Sequence, residues 1–171
     1  MSALQAQSTR AAPVGTDTVI ERYKDMVYAI CLTHTQNRGD AEDAFQEVFL
    51  TYHRKQPDCR DEDHRQAWLI TTTLNVARRL STSSWRTRVV PLHPDFQPAL
   101  GTIRFDEPTY DELFAALQEL PEKYRTVIHL FYFEDLPIAR IAAVLNLQAA
   151  AVKMRLSRGR AMLREIMSRK D

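Results

Sequence analysis

Glycine is scarce in this chain: four residues in 171. So few leave no phosphate-cradling loop, in which spaced glycines let backbone amides approach an anion. Cysteine is scarcer still. Cys31 and Cys59 are too few for a disulfide framework and fit a reducing compartment. Each has a histidine nearby, His34 and His64, but the spacing matches no common zinc pattern, so no metal site is expected. No apolar run approaches the ~20 residues of a membrane span. The opening MSALQAQSTRAAPVG has neither the charged start nor the apolar core of a signal peptide. A cytoplasmic protein with no direct membrane insertion is the expectation. Charge of one sign is also missing, since 23 Lys and Arg face 22 Asp and Glu for a net +1. A balanced total can still hide a basic segment offset by an acidic one. No nucleophile and base stand at a recognisable spacing, so no enzyme, no cofactor and no small-molecule substrate are expected.

What is present is helical periodicity. The length suits one ordinary domain or two small ones, and 44% hydrophobic residues are enough to bury a core. Residues 1–16 read as a flexible N-terminal segment. From about Asp17, Val19, Ile20, Tyr23, Val27, Ile30 and Cys31 keep the three-and-four spacing of a helix with one buried face. NRGD is expected to end it, with Gly39 in the left-handed conformation and Asp40 capping the next helix. That second helix runs from about Ala41 to Lys55, with Ala41, Ala44, Phe45, Val48, Phe49 and Tyr52 apolar. Glu42, Asp43, Gln46 and Glu47 make its other face acidic. Acid in a first turn suits the helix dipole; together these side chains also offer a docking surface. Pro57 stops this helix. A third spans about Asp63 to Leu80 with Trp68, Ile70, Leu74, Ala77 and Leu80 apolar, and the threonine run 71–73 weakens it without abolishing it. Beyond it Arg78, Arg79, Arg86 and Arg88 surround Trp85. Such a mixture suits a phosphate backbone and unstacked bases, or equally a solvated helix end with Trp85 tucked against the core.

Pro91, Pro94, Pro98, Gly101 and Pro108 then fall in one stretch without periodicity, best read as a linker between two helical domains. Thr109 to Glu112 has the capping-box form, and Leu113, Leu117 and Leu120 continue an apolar face. Pro121 opens a further helix, with Tyr124, Val127, Ile128 and Phe131 inward, which EDLP breaks. The helix IARIAAVL, the turn NLQ and the helix AAAVKMRLSRGRAMLREIM follow. This is the size and pattern of a helix-turn-helix, whose first helix braces a second for a DNA major groove. Ile138, Ile141, Ala142 and Leu145 form the brace; Val152, Leu156, Gly159 and Leu163 form the inward stripe of the second helix. Met154 and Ala161 lie opposite the stripe with Lys153, Ser157 and Arg158 beside them, and Arg155 and Arg160 take the shoulders. The stripe holds the helix down and the charge meets nucleic acid, although cations near a C-terminus also follow from the helix dipole.

On these residues the chain resembles a known family. LPEKYRTVIHLFYFEDLPIARIAAVLNLQAAAVKMRLSRGRAML resembles region 4 of extracytoplasmic-function (ECF) sigma factors, initiation factors of bacterial RNA polymerase. GDAEDAFQEVFLTYHRKQP is similar to their region 2.2, and RQAWLITTTLNVARRLSTSSWRTRVVPL to regions 2.3 and 2.4. The resemblance covers about residues 17 to 168 in the family's order. It implies an all-α fold of two small helical domains: residues 17–89 for region 2, a proline-rich linker at 90–108, and 109–171 for region 4. Core RNA polymerase and promoter DNA are the implied partners. Asp43, Gln46 and Glu47 would dock on the clamp helices of the beta-prime subunit, and region 4 on the beta flap. Trp68, Asn75, Arg78, Arg79, Trp85, Arg86 and Arg88 would engage and melt the minus-10 element. Lys153, Met154, Ser157 and Arg158 would read minus-35 bases while Arg155 and Arg160 hold phosphates. The linker would thread toward the RNA exit path, and an anti-sigma factor would hold the chain inactive.

The chain departs from the family's pattern in places. Arg79 stands where many members have an acidic residue, Thr82 and Thr87 where arginines are common, and Asn146 replaces the glycine of the helix-turn-helix turn. Asparagine tolerates the left-handed conformation, so the turn should survive. Gln148 and Ala149 to Ala151 replace the usual polar helix start, so fewer side chains there reach phosphate. Two other classes stay open on the residues themselves. One is a stand-alone helix-turn-helix regulator; the other is an interaction protein using hydrophobic grooves beside Phe45, Phe49 and Leu156.

Overall fold

A computed structural model describes residues 14–35, 37–83 and 108–170, with the backbone alone at Ser83 and 108–111. Among the described residues there is no strand, and the architecture is all-α. Three helices form the first half: α1 (Thr16–His34), α2 (Arg38–Lys55) and α3 (Glu62–Ser83). Each packs on the other two. Their shared core holds Val19, Val27 and Ile30 of α1, Val48, Phe49 and Tyr52 of α2, and Leu69, Ile70 and Leu74 of α3. Four helices form the second half: α4 (Pro108–Glu119), α5 (Glu122–Ile128), α6 (Ile138–Leu145) and α7 (Ala149–Ser168). A π-helical turn, His129–Phe133, continues α5.

The ends of these helices follow local chemistry, in three places against expectation. Gly39 does not close α1: it lies inside α2, and no described glycine has a positive φ. α1 ends instead at Thr35, whose backbone is extended and whose hydroxyl donates to Cys31 O at 2.7 Å. The cap of α2 is Asn37, with its side chain accepting from the Asp40 amide at 2.8 Å. Asparagine and aspartate are comparable caps; because α2 begins already at Arg38, Asn37 takes the role and Asp40 falls within the first turn. α2 stops at Gln56, held left-handed at φ 41°; Pro57 disfavours the right-handed helical region for the residue before it. α4 begins at Pro108, one residue before the expected Thr109 cap, whose side chain lies outside the description. Pro121 caps α5 from just outside the helix rather than lying in its first turn.

The core is also wider than one stripe per helix. In α1, Tyr28, Ala29, Thr33 and His34 are buried besides the expected positions. The reason is that α4 and α5 pack on the far side of α1 while α2 and α3 occupy the near side. Phe49 and Leu156, expected beside open grooves, are core residues at 5% and 2% exposure. Phe45 is half-buried between Tyr28 and Phe49, its ring centroid 5.9 and 5.0 Å from theirs. Arg65 is buried as well; its guanidinium donates to the Tyr52 hydroxyl at 3.2 Å and pairs with Glu62.

Gly159 marks a close approach of α7 to α5. A Cβ there would lie 2.7 Å from Ile128 Cδ1 and 3.3 Å from Tyr124 Cβ. The isoleucine tip can turn aside, but Tyr124 Cβ is fixed by its helix. Gly159→Val is therefore expected to destabilise the protein by about 1–3 kcal/mol through overpacking, read as a melting temperature lower by several degrees. An unchanged transition would contradict this packing.

Candidate nucleic-acid interface

α6 and α7 form the helix-turn-helix. Ile141 and Ala142 of α6 are buried and Ile138 and Leu145 half-buried, as a brace requires. The turn rests on Asn146 at φ 54°, ψ 50°. Leu147 N donates to Ala142 O at 2.8 Å and Asn146 N to Ala143 O at 3.4 Å, the paired bonds that close a helix around a left-handed residue. Gln148 makes no side-chain cap bond at the start of α7, in keeping with its replacement of a serine-like cap.

The inward stripe of α7 is Val152, Leu156, Gly159 and Ile166, all buried, with Leu163 half-buried. Lys153, Ser157, Arg158 and Ala161 are exposed on the opposite face, and Met154 is 49% exposed at its centre. Arg155 is half-buried on a shoulder, and Arg160 is exposed on the other. Both flanks carry a tyrosine that periodicity did not single out as surface. Tyr132, on the π-helical turn, accepts a hydrogen bond from Arg160 Nη1 at 3.0 Å. Tyr124 lies under Lys123, whose ammonium is 4.9 Å from the ring centroid. Desolvation pushes the Tyr124 phenol up, but hydrogen bonding from Arg158 and the Lys123 charge outweigh it and hold it below its usual value. A widened turn shifts the side chains after it around the helix, so a 3.6-residue count through 129–133 could not have found Tyr132.

The other expected site residues lie on α2 and α3. Asp43 and Gln46 are exposed on α2. Glu42 pairs with Arg38 at 3.2 Å, and Glu47 with Arg79 of α3 at 2.6 Å. The acidic face is thus joined to the basic end of α3, a link that spacing along either helix did not reveal. Asn75 is exposed, and Arg78 pairs with Glu122 of α5 at 2.6 Å. Exposed pairs of this kind contribute little and exchange partners readily. Trp68 is half-buried, edge-on to Tyr52 with ring centroids 5.6 Å apart. Trp85, Arg86 and Arg88 lie outside the described residues, as does nearly all of the 90–108 linker. α7 packs mainly on α4, α5 and α6, whereas the other expected contacts lie on α2 and α3.

Both cysteines are buried, and burial alone pushes the Cys31 thiol up to about 12. Among the described residues no group of three or more His, Cys, Asp or Glu could hold a metal ion, and no helix is long and apolar enough to cross a membrane.

Comparison with known proteins assigns this arrangement to a class. Residues 19–87 match the family model for Sigma-70 region 2, and residues 110–163 that for Sigma-70, region 4. Within that class, the chain belongs to the ECF RNA polymerase sigma factors. It is 30% identical over 161 residues to ECF RNA polymerase sigma factor SigW of Bacillus subtilis, with 86% of each chain covered. It is 28% identical over 170 residues to ECF RNA polymerase sigma factor SigE of Mycolicibacterium smegmatis, covering 96% of this chain and 66% of that protein. The fold is that of CnrH, solved in complex with the cytosolic domain of CnrY: TM-score 0.69, 22% identity, 91% of this chain and 89% of that one. It is also that of the sigma factor RpoE of Bartonella quintana, solved with the anti-sigma factor NepR: TM-score 0.68, 20% identity, 89% and 96% covered. Membership fixes the general role. The protein is a sigma factor, working with core RNA polymerase in promoter-specific transcription initiation.

The turn at Asn146 gives a check on the helix-turn-helix itself. A side chain without a local polar group costs about 1–2 kcal/mol in the left-handed region. Asn146→Ala should lower the urea midpoint accordingly and Asn146→Gly should leave it nearly unchanged; equal loss in both would mean that the asparagine side chain, not the backbone, holds the turn.

Proposed function

We propose that residues 109–171 read the minus-35 element through α7, and that residues 17–89 dock on core polymerase and engage the minus-10 element, with 90–108 linking the two. Lys153, Met154, Ser157 and Arg158 are the base-reading set in this proposal, and Arg155 and Arg160 the phosphate contacts. The observation that carries it is the outward face of α7, where lysine, serine and arginine stand exposed around Met154 while the opposite stripe is buried. Arginine and lysine donate to guanine edges, and serine serves either sense of a base pair. Asp43 and Gln46, exposed on α2, and Glu47 are the polymerase contacts, and Asn75, Arg78 and Arg79 the minus-10 contacts. Cation-bearing surfaces suit capture of a displaced single strand. The role is non-enzymatic and cytoplasmic. Two neighbours of the same fold were solved with protein partners, one of them named an anti-sigma factor, which supports a similar partner holding this chain inactive.

Run-off transcription tests the proposal. Core polymerase is assayed with and without the protein on candidate promoters, then with Lys153, Ser157 and Arg158 changed to alanine. Each lost base contact is worth about 1–3 kcal/mol, so promoter-specific transcripts should require the protein and fall at least tenfold in the triple variant. Full activity of that variant would refute minus-35 reading by this face. Absence of any transcript, with tight binding of the same duplex by the protein alone, would favour a stand-alone regulator.

A further inference from the structure

The two halves share a continuous apolar core, and polar groups line part of the contact between them. At the C-terminal end of α1, Leu32 and Thr33 present carbonyls with no further turn to satisfy them. Gln118 of α4 reaches across and donates to both, at 3.1 and 2.8 Å. Arg125 of α5 donates to Thr33 O at 3.4 Å and to Leu120 O, at the end of α4, at 2.9 Å. One guanidinium thus lies between the negative ends of two helices, a favourable place for a cation. It is an incomplete one, since Arg125 Nε is buried with no hydrogen-bond partner and desolvation draws the group's pKa down.

Two histidines complete the contact. His34 of α1 is 5% exposed, and His129, at the start of the π-helical turn, is fully buried. His34 Nδ1 lies 3.0 Å from Ile30 O, an acceptor only, so Nδ1 carries the hydrogen. Nε2 lies 2.9 Å from the Thr126 hydroxyl of α5, which can donate to it only while the ring is neutral. Thr33 Oγ1 lies 2.8 Å from His129 Nδ1, and His129 Nε2 lies 3.0 Å from Glu134. At the periphery Arg78 pairs with Glu122, and Arg140 of α6 donates to Asp63 O and Gln66 Oε1 of α3 at 2.9 and 3.1 Å.

From this arrangement we infer that the α1–α5 contact is a proton-sensitive latch between the two halves: it closes around neutral His34, opens when that ring takes up a proton, and on opening releases Arg78 from Glu122. The carbonyls, hydroxyls and part-satisfied guanidinium of this contact lose little when water replaces their bonds, so the apolar packing beside them is what a buried charge at His34 would work against. A second cation beside Arg125 changes the balance. The groups bearing on His34 are His129 from the π-helical turn, Arg125 from α5 and Arg78 from α3; the carboxylates Glu122 and Glu134 are bonded to Arg78 and His129. Burial first, then His129 and these arginines, lower the His34 pKa to about 3 in the closed form. Exposed imidazole titrates near 6.5. Because the closed form has the depressed value, its stability is fully present above pH 6.5 and declines as pH falls from there toward 3. The open-to-closed ratio should rise about tenfold between pH 7.5 and pH 5.5. That opening matters for promoter binding rests on the role proposed above for Arg78; the latch itself does not.

The test needs neither DNA nor polymerase, so its failure would leave the sigma-factor role untouched. Dyes on cysteines introduced at exposed Glu21 and Ser168 of the full chain report the distance between the halves by energy transfer, while circular dichroism confirms that the helices persist. The expected result is a short distance at pH 7.5, a growing long-distance population toward pH 5.5, and no pH response in His34→Gln. As a check that needs no substitution at His34, the carbon-13 shift of its imidazole in the otherwise unaltered chain should follow the same transition. A distance that does not move with pH would overturn the latch, as would an undiminished response in His34→Gln or opening while His34 stays neutral.

Discussion

The close approach of α7 to α5 at Gly159 is the constraint on which the proposed nucleic-acid surface depends. Because no side chain intervenes there, Val152, Leu156 and Ile166 reach the core, and the rotation of α7 about its axis is fixed by that burial. Fixing the rotation decides which residues face water. Lys153, Met154, Ser157 and Arg158 become the outer face because the stripe behind them has no other way to be buried. Tyr124 and Tyr132 then flank the helix from α5 and its π-helical extension, holding Arg158 and Arg160 near the same surface. The charge is thus attached to a rigid base, which positioning of a recognition helix requires.

Much of this was legible because helices declare themselves by period. The bounds of α6 and the start of α7, the left-handed Asn146 and the uncapped Gln148 all follow from residue types at fixed offsets. Where reading failed, several local signals competed or a distant partner decided. At NRGD, Gly39 is a plausible helix end, but Asn37 lies two residues earlier and captures the Asp40 amide first. In α1, a single stripe could not show that Thr33 and His34 are buried, because the covering surface comes from residues about 90 positions away. Phe49 and Leu156 looked available for grooves, but both are buried in the core.

The candidate sites divide along the same line. Exposure of Lys153, Ser157 and Arg158 follows from one helix and its stripe. The pairing of Glu47 with Arg79 and of Arg78 with Glu122 joins residues 32 and 44 positions apart and requires the tertiary arrangement. One pair joins the acidic face of α2 to the basic end of α3, and the other joins that end to the second half. Polymerase and DNA would have to exchange these partners for their own, a low cost for exposed ion pairs.

The most direct test of this seating is where the centre of α7 lies when it works. A photo-crosslinking side chain at position 154, in the chain assembled with core polymerase on a promoter it transcribes, places a reporter at the middle of the outer face. Crosslinks to bases of the minus-35 element, lost when polymerase is omitted, are the predicted result. Crosslinks to polymerase subunits alone, or to the same bases with equal yield in the absence of polymerase, would contradict it.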